Sequence, residues 1–198
     1  MNIRMQEVPI MTFLTVGLIL EYHAITLGKY TGITLTILYL YITKLLWIGR
    51  WPFMWITLGT LILEIIGLHS GFPFGKYQYG QTVAEPAIFN VPIFIPLAWF
   101  ILINATKQIT AKWYYAVLTI IGIDIILENF ATTTGLWTWQ NHTGPLTAPI
   151  QNYITWGITT AIGYFIIPKN NTHKQTSQKI ITMLLAYMLI VIGIHKLK

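Results

Sequence analysis

Two carboxylic acids, Asp124 and Glu128, stand four residues apart inside the apolar stretch GIDIILENFATTTGLWTW, residues 122–139. On a helix that spacing puts both on one face. A third acid, Glu64, has a similar setting in TLILEIIGLHSGFPFG, residues 60–75. A carboxylate at the centre of a bilayer costs about 2.5–3.5 kcal/mol on insertion scales, so acids kept in apolar segments are candidates for chemistry. A carboxyl group shielded from water can hold its proton at neutral pH and later give it away. The faces of Trp and Tyr attract a cation within about 6 Å of the ring centroid. Acid plus aromatic box is the equipment for making a carbocation from an alkene and holding it. Each acid also has a structural reading, as hydrogen-bond partner of a Tyr, Trp or Asn on a neighbouring helix. For Glu21, beside Tyr22 and His23, the structural reading is preferred.

These acids need apolar elements to hold them. The chain has 198 residues, of which 55% are hydrophobic and 9% charged, against about 25% charged in a soluble domain. This reads as an all-α integral membrane protein, a single domain over 1–198, placed as a multi-pass protein in the cell membrane of a prokaryote. Seven apolar runs predict a bundle of about seven transmembrane helices, near 8–27, 33–49, 51–69, 89–106, 112–131, 149–167 and 179–196. They are continuous rather than alternating, which favours helices over a barrel. Gly49-Arg50-Trp51-Pro52 divides the second from the third, with Pro52 suited to a helix start. The N-terminal run is read as a retained helix. No internal repeat stands out. Arg4, Arg50, Lys107, Lys112, Lys169, Lys174 and Lys179 fall on one side, against Lys29, Lys76, Lys196 and Lys198 on the other, which makes the first side cytoplasmic.

Two loops rich in aromatics, Gly and Pro, 69–92 and 131–149, follow odd-numbered spans and so share one face. Glu64 precedes the first, and Asp124 and Glu128 precede the second, so all three acids can converge there. Other chemistries lack their residues. No two of the five histidines stand three or four apart, against a clustered-His iron site, and no metal ligands are assigned. No Asp-rich diphosphate motif or phosphate-cradling Gly loop occurs. No basic run suggests nucleic acid.

One segment runs Glu64-x-x-Gly67-x-x-x-Gly71-Phe72-Pro73-Phe74-Gly75-x-Tyr77-x-Tyr79. It continues with Val91-Pro92-x-x-x-Pro96-Leu97-Ala98-Trp99-Phe100. A second runs Asp124-x-x-x-Glu128, Gly135-x-Trp137-x-Trp139 and Pro149-x-x-Asn152-x-x-x-Trp156. Together, over residues 64–156, they resemble the carotenoid 1′,2′-hydratase family, the bisanhydrobacterioruberin hydratase-like membrane proteins of carotenoid biosynthesis. Three departures stand out: Asn129 where the family has Pro, Pro145-Leu146-Thr147-Ala148 where it has a Tyr and a Gly, and Thr155 in place of a Gly.

The resemblance implies addition of water across the terminal 1′,2′ double bond of an acyclic carotenoid, without a cofactor, to give a tertiary alcohol. The expected catalytic residues are Asp124 as proton donor, Glu64 as the base that orients water, and Glu128 in support; the first two roles are exchangeable. Tyr77, Tyr79, Trp99, Trp137, Trp139 and Trp156 are expected to line the end-group pocket, and Asn152 to bond water or an acid. The lipid bilayer is the implied surrounding, and other carotenoid biosynthesis enzymes are candidate partners. Two other readings stay open: a carotenoid end-group cyclase, and a non-enzymatic carrier or pigment scaffold whose acids relay protons.

Overall fold

The computed structural model describes residues 8–22, 30–140 and 142–197. Arg4, Glu7, His23, Lys29, Asn141 and Lys198, and the side chain of Glu21, lie outside the described residues. The rest is an all-helical bundle with two small β-pairs. Its helices are α1 (Val8–Tyr22), α2 (Tyr30–Leu45), α3 (Arg50–Ser70), α4 (Phe94–Ile109), α5 (Trp113–Thr134), α6 (Ile150–Ile166) and α7 (Lys174–Leu197). The strands are β1 (Tyr77–Tyr79), β2 (Ala87–Ile88), β3 (Val91–Pro92) and β4 (Trp137–Trp139).

Seven expected runs thus correspond to seven helices among the described residues. Three are long and apolar enough to cross a bilayer: α3, α5 and the helical stretch Asn171–Leu197. The 16-residue α4 extends about 24 Å at 1.5 Å per residue, short of a hydrocarbon core of about 30 Å. The fourth run, expected from residue 89, becomes helical only at Phe94. Before it, Ala87 pairs with Pro92 and Ile88 with Val91. Phe89 and Asn90 make the turn between them, both at positive φ, as a two-residue hairpin requires.

The helices that carry the acids end alike. Gly71 follows α3 at φ 79° and Gly135 follows α5 at φ 71°, the left-handed conformation that glycine adopts without a Cβ penalty. Each turns the chain back over the bundle, and there the two long loops meet. β1 and β4 pair antiparallel, with Tyr77 opposite Trp139, Gln78 opposite Thr138 and Tyr79 opposite Trp137. Flanking bonds from Gly80 N to Leu136 O and from Gln140 N to Lys76 O, both 2.8 Å, close the ribbon. Side chains alternate across a strand, so Gln78 and Thr138 face out while the four rings turn in over the acids.

The ribbon tolerates no bulk at one point. A Cβ on Gly80 would run into the backbone oxygen of Gly135. Gly80→Ala is expected to lower stability by about 1–3 kcal/mol, the usual cost of overpacking, read as an earlier thermal unfolding transition of the detergent-solubilised protein.

At the end away from the ribbon, the Lys169 ammonium donates to the carbonyls of Lys107, Gln108 and Thr110 at 2.7–2.8 Å. This satisfies the free carbonyls that a helix C-terminus leaves, here at α4. Asn104 and Gln108, both fully buried, continue the tie to Leu46 O and Pro168 O. That end of the bundle is therefore pinned by polar bonds, and the acid end by the ribbon.

Candidate active site

Glu64 lies in α3 and is almost wholly buried. Its Oε2 accepts from the Tyr77 hydroxyl at 2.6 Å and the Tyr79 hydroxyl at 2.8 Å, and its Oε1 accepts from the Trp99 indole N–H at 2.8 Å. Glu128 in α5 has a matching cage. Its Oε2 accepts from the indoles of Trp137 (3.0 Å) and Trp139 (2.7 Å), and its Oε1 from Asn152 Nδ2 at 3.1 Å. Buried carboxylates persist only when paired or hydrogen-bonded, and these two are. Each uses three of about four acceptor positions, which leaves one on Oε1.

Asp124 differs. The Asn152 amide that serves Glu128 also donates to Asp124 Oδ2 at 3.0 Å, so a single NH₂ group ties the two acids together. Asp124 Oδ1 is buried without any hydrogen-bond partner among the described residues. An unsatisfied carboxyl oxygen in a 1% exposed side chain is costly, about 1–3 kcal/mol or more. The lack of a partner also leaves an oxygen with a free position for a proton.

Glu64 and Glu128 border an apolar cavity of about 220 Å³. Glu64, Glu128 and Asn152 form its polar wall, with Asp124 one helical turn from Glu128 and behind that wall. All seven aromatic and amide positions expected to bind substrate, Tyr77, Tyr79, Trp99, Trp137, Trp139, Asn152 and Trp156, line it. Trp99 and Trp156 stack face to face, with centroids 3.4 Å apart and 13° between planes. Tyr77 packs on Trp139 at 5.3 Å. The opposite wall comes from α1, α2 and α7, through residues such as Phe13, Gly17, Leu35, Tyr39, Leu185 and Met188. Sequence motifs did not point to these. They are ordinary apolar helix residues, and only their packing assigns them to the cavity.

Sequence reasoning cast the rings as faces for a cation. The structure gives five of them a second task, because the O–H and N–H edges of the four ribbon aromatics and of Trp99 are spent on Glu64 and Glu128. The x-Tyr-x-Tyr and x-Trp-x-Trp spacings carry that signal, since alternate strand residues place two donors on one side. Burial, and then the neighbouring Glu64, push the Tyr77 and Tyr79 hydroxyls well above the usual phenol value. In an alkaline titration followed by tyrosinate absorbance, these two should remain protonated past pH about 10, where free phenols ionise. Above that pH the unfolded chain binds fewer protons than the folded one, so stability should fall as pH rises. A tyrosinate signal near pH 10 that disappears in Tyr79→Phe would contradict this.

The sequence profile of the family described as "Carotenoid biosynthesis protein" matches residues 27–197. The bisanhydrobacterioruberin hydratase of Haloarcula japonica is 22% identical over 125 residues, an alignment that covers 56% of this chain and 42% of that protein. The chain therefore spans less than half the length of that curated relative. No solved structure matches. With its all-helical bundle, its buried acids and a family match across most of its length, the chain belongs to the carotenoid biosynthesis protein family.

Proposed function

We propose that this protein is a carotenoid hydratase, a cofactor-independent hydro-lyase of the cell membrane that adds water to the terminal 1′,2′ double bond of an acyclic carotenoid. The observation that carries this reading is Asp124, whose Oδ1 has no partner among the described residues, while Asn152, which lines the apolar cavity, ties its other oxygen to Glu128. The distant likeness to a bisanhydrobacterioruberin hydratase supports the same reaction class.

Asp124 gives its proton to the less substituted alkene carbon and forms a C–H bond, leaving a tertiary cation. The stacked Trp99 and Trp156 and the ribbon rings present π faces to that cation. Water held on the open position of Glu64 Oε1 adds to the cation, forms the C–O bond and passes its extra proton to Glu64. Return of one proton from Glu64 to Asp124 through solvent restores the site, so the net change is one water added. Glu128 supports Asp124 by fixing Asn152. The cavity admits only part of the substrate. A cavity of about 150 Å³ holds six-carbon benzene, so this one suits roughly nine carbons, about two isoprene units. The remainder of the polyene then lies among lipid tails.

Co-expression with an acyclic carotenoid pathway, followed by mass spectrometry of the extracted pigments, tests the reading. A gain in mass of one or two waters is expected. Unchanged mass with altered retention and absorption would replace hydration by cyclisation. No change of pigment, with the protein present in the membrane, would leave a carrier or scaffold.

A further inference from the structure

The two carboxylate cages are built alike far beyond their hydrogen bonds. Residues 50–71 align with 114–135 without a gap, with identities at Ile56 and Ile120, at Ile62-Leu63-Glu64 and Ile126-Leu127-Glu128, and at Gly71 and Gly135. The buried positions of α3 are Ile56, Thr60, Glu64 and Gly67. Their counterparts Ile120, Asp124, Glu128 and Ala131 are buried in α5. The capping bonds correspond, Gly71 N to Gly67 O and Gly135 N to Ala131 O. Pro92 and Trp99 then match Pro149 and Trp156, each Pro just ahead of its helix and each Trp in the stacked pair.

The ribbon obeys the same relation. Exchange of the two halves turns the bond Gly80 N to Leu136 O into Gln140 N to Lys76 O, and both are 2.8 Å long. It likewise turns the Tyr77–Trp139 pair into Trp137–Tyr79. The register of the ribbon is therefore unchanged when the two halves are exchanged. A shorter loop in the second half shifts the spacing between the two matching blocks, which hides the repeat in the linear sequence.

We infer that α3–β1–α4 and α5–β4–α6 are two copies of one helix–ribbon–helix unit, and that the copies have divided acid and base between them. The division lies at two positions. Where the second copy has Asp124 and Asn152, the first has Thr60 and Ile95. The Thr60 hydroxyl merely bonds back to Ile56 O at 2.8 Å, and Ile95 offers no donor. The first copy therefore holds one caged acceptor, Glu64. The second holds a caged acceptor plus an acid with a free oxygen. Asn152 is the positioning residue that made the second copy the donor half. This deepens the hydratase reading and rests on Asp124 as its proton donor, but its test needs no substrate.

The test is infrared spectroscopy of the purified protein, because a protonated carboxyl group shows a carbonyl stretch that a carboxylate lacks. At neutral pH the native chain should show this band, Asp124→Asn should lose it and Glu64→Gln should keep it. Asp124→Thr/Asn152→Ile, which gives the second copy the residues of the first, should fold, melt near the native temperature and lack the band. There the Trp156 N–H is expected to take over the donation to Glu128, in the role that Trp99 has on Glu64. Survival of the band in Asp124→Asn, or its loss in Glu64→Gln, would overturn the division of roles. Failure of the double variant to fold while Asp124→Asn folds would overturn the equivalence of the copies. A native protein with the band but no hydrated pigment would sink the hydratase reading and leave the duplication standing.

Discussion

Asp124→Asn should abolish the proposed hydration while leaving the protein folded and able to hold its proposed polyene substrate. Asparagine has nearly the same shape, and its carbonyl can accept the bond that Asn152 now donates to Oδ2. The amide NH₂ then takes the place of Oδ1, which has no partner to lose. What disappears is the acidic proton, since an amide does not protonate an alkene. General acid catalysis is worth about 10²–10⁴-fold, so the yield of hydrated pigment should fall by at least about 100-fold. Carotenoid mass in cells that carry the variant measures it, with membrane content checked in parallel. Turnover near the native rate would mean that the proton comes from elsewhere, with Glu128 the next acid on the same face.

The helices were legible because unbroken apolar runs announce themselves, and all seven runs correspond to helices among the described residues, of which three are long and apolar enough to cross a bilayer. Their ends were less legible. Residues 89–92 are apolar enough to extend a helix, yet Asn90 and Pro92 belong to a hairpin, and local turn chemistry prevailed over hydropathy. The convergence of Glu64, Asp124 and Glu128 could be read from their places ahead of two unusual loops. The partners that hold them could not, because a cage needs register between strands about 60 residues apart. The walls from α1, α2 and α7 left no trace, since an apolar residue facing a cavity and one facing lipid are the same residue type.

That distinction bears on why the site holds its shape. Nothing in the apolar walls fixes a direction, because Leu35 or Met188 can repack at small cost. Direction comes from the two cages. Each spends three donors on one carboxylate, and the donors come from the ribbon and from a partner helix. The ribbon therefore cannot lift without stripping both Glu64 and Glu128. The proposed hydration, which must distinguish a neutral alkene from a cation of nearly the same shape, would depend on such fixed dipoles.

Glu64→Leu should consequently be the most destabilising single change in the ribbon region. Leucine fills a similar volume but accepts nothing, so Tyr77 O–H, Tyr79 O–H and the Trp99 N–H lose their acceptor together. Each stranded buried donor costs about 1–3 kcal/mol. Three in one place sum to several kcal/mol, comparable to the whole margin of a typical domain. Thermal or denaturant unfolding in detergent should show a large loss of stability, with loosening of the ribbon detectable as faster amide exchange at Gly80 and Gln140. Glu64→Gln should fall between, because its carbonyl still accepts two bonds while its NH₂ opposes the third donor. Trp99→Phe should cost least of the three, since it removes a donor and leaves the carboxylate with two. The order Leu, Gln, Phe in decreasing cost is what a donor-saturated acid requires. If Leu were tolerated as well as Gln, Glu64 would not be the anchor of the ribbon, and its burial would have to be explained by chemistry alone.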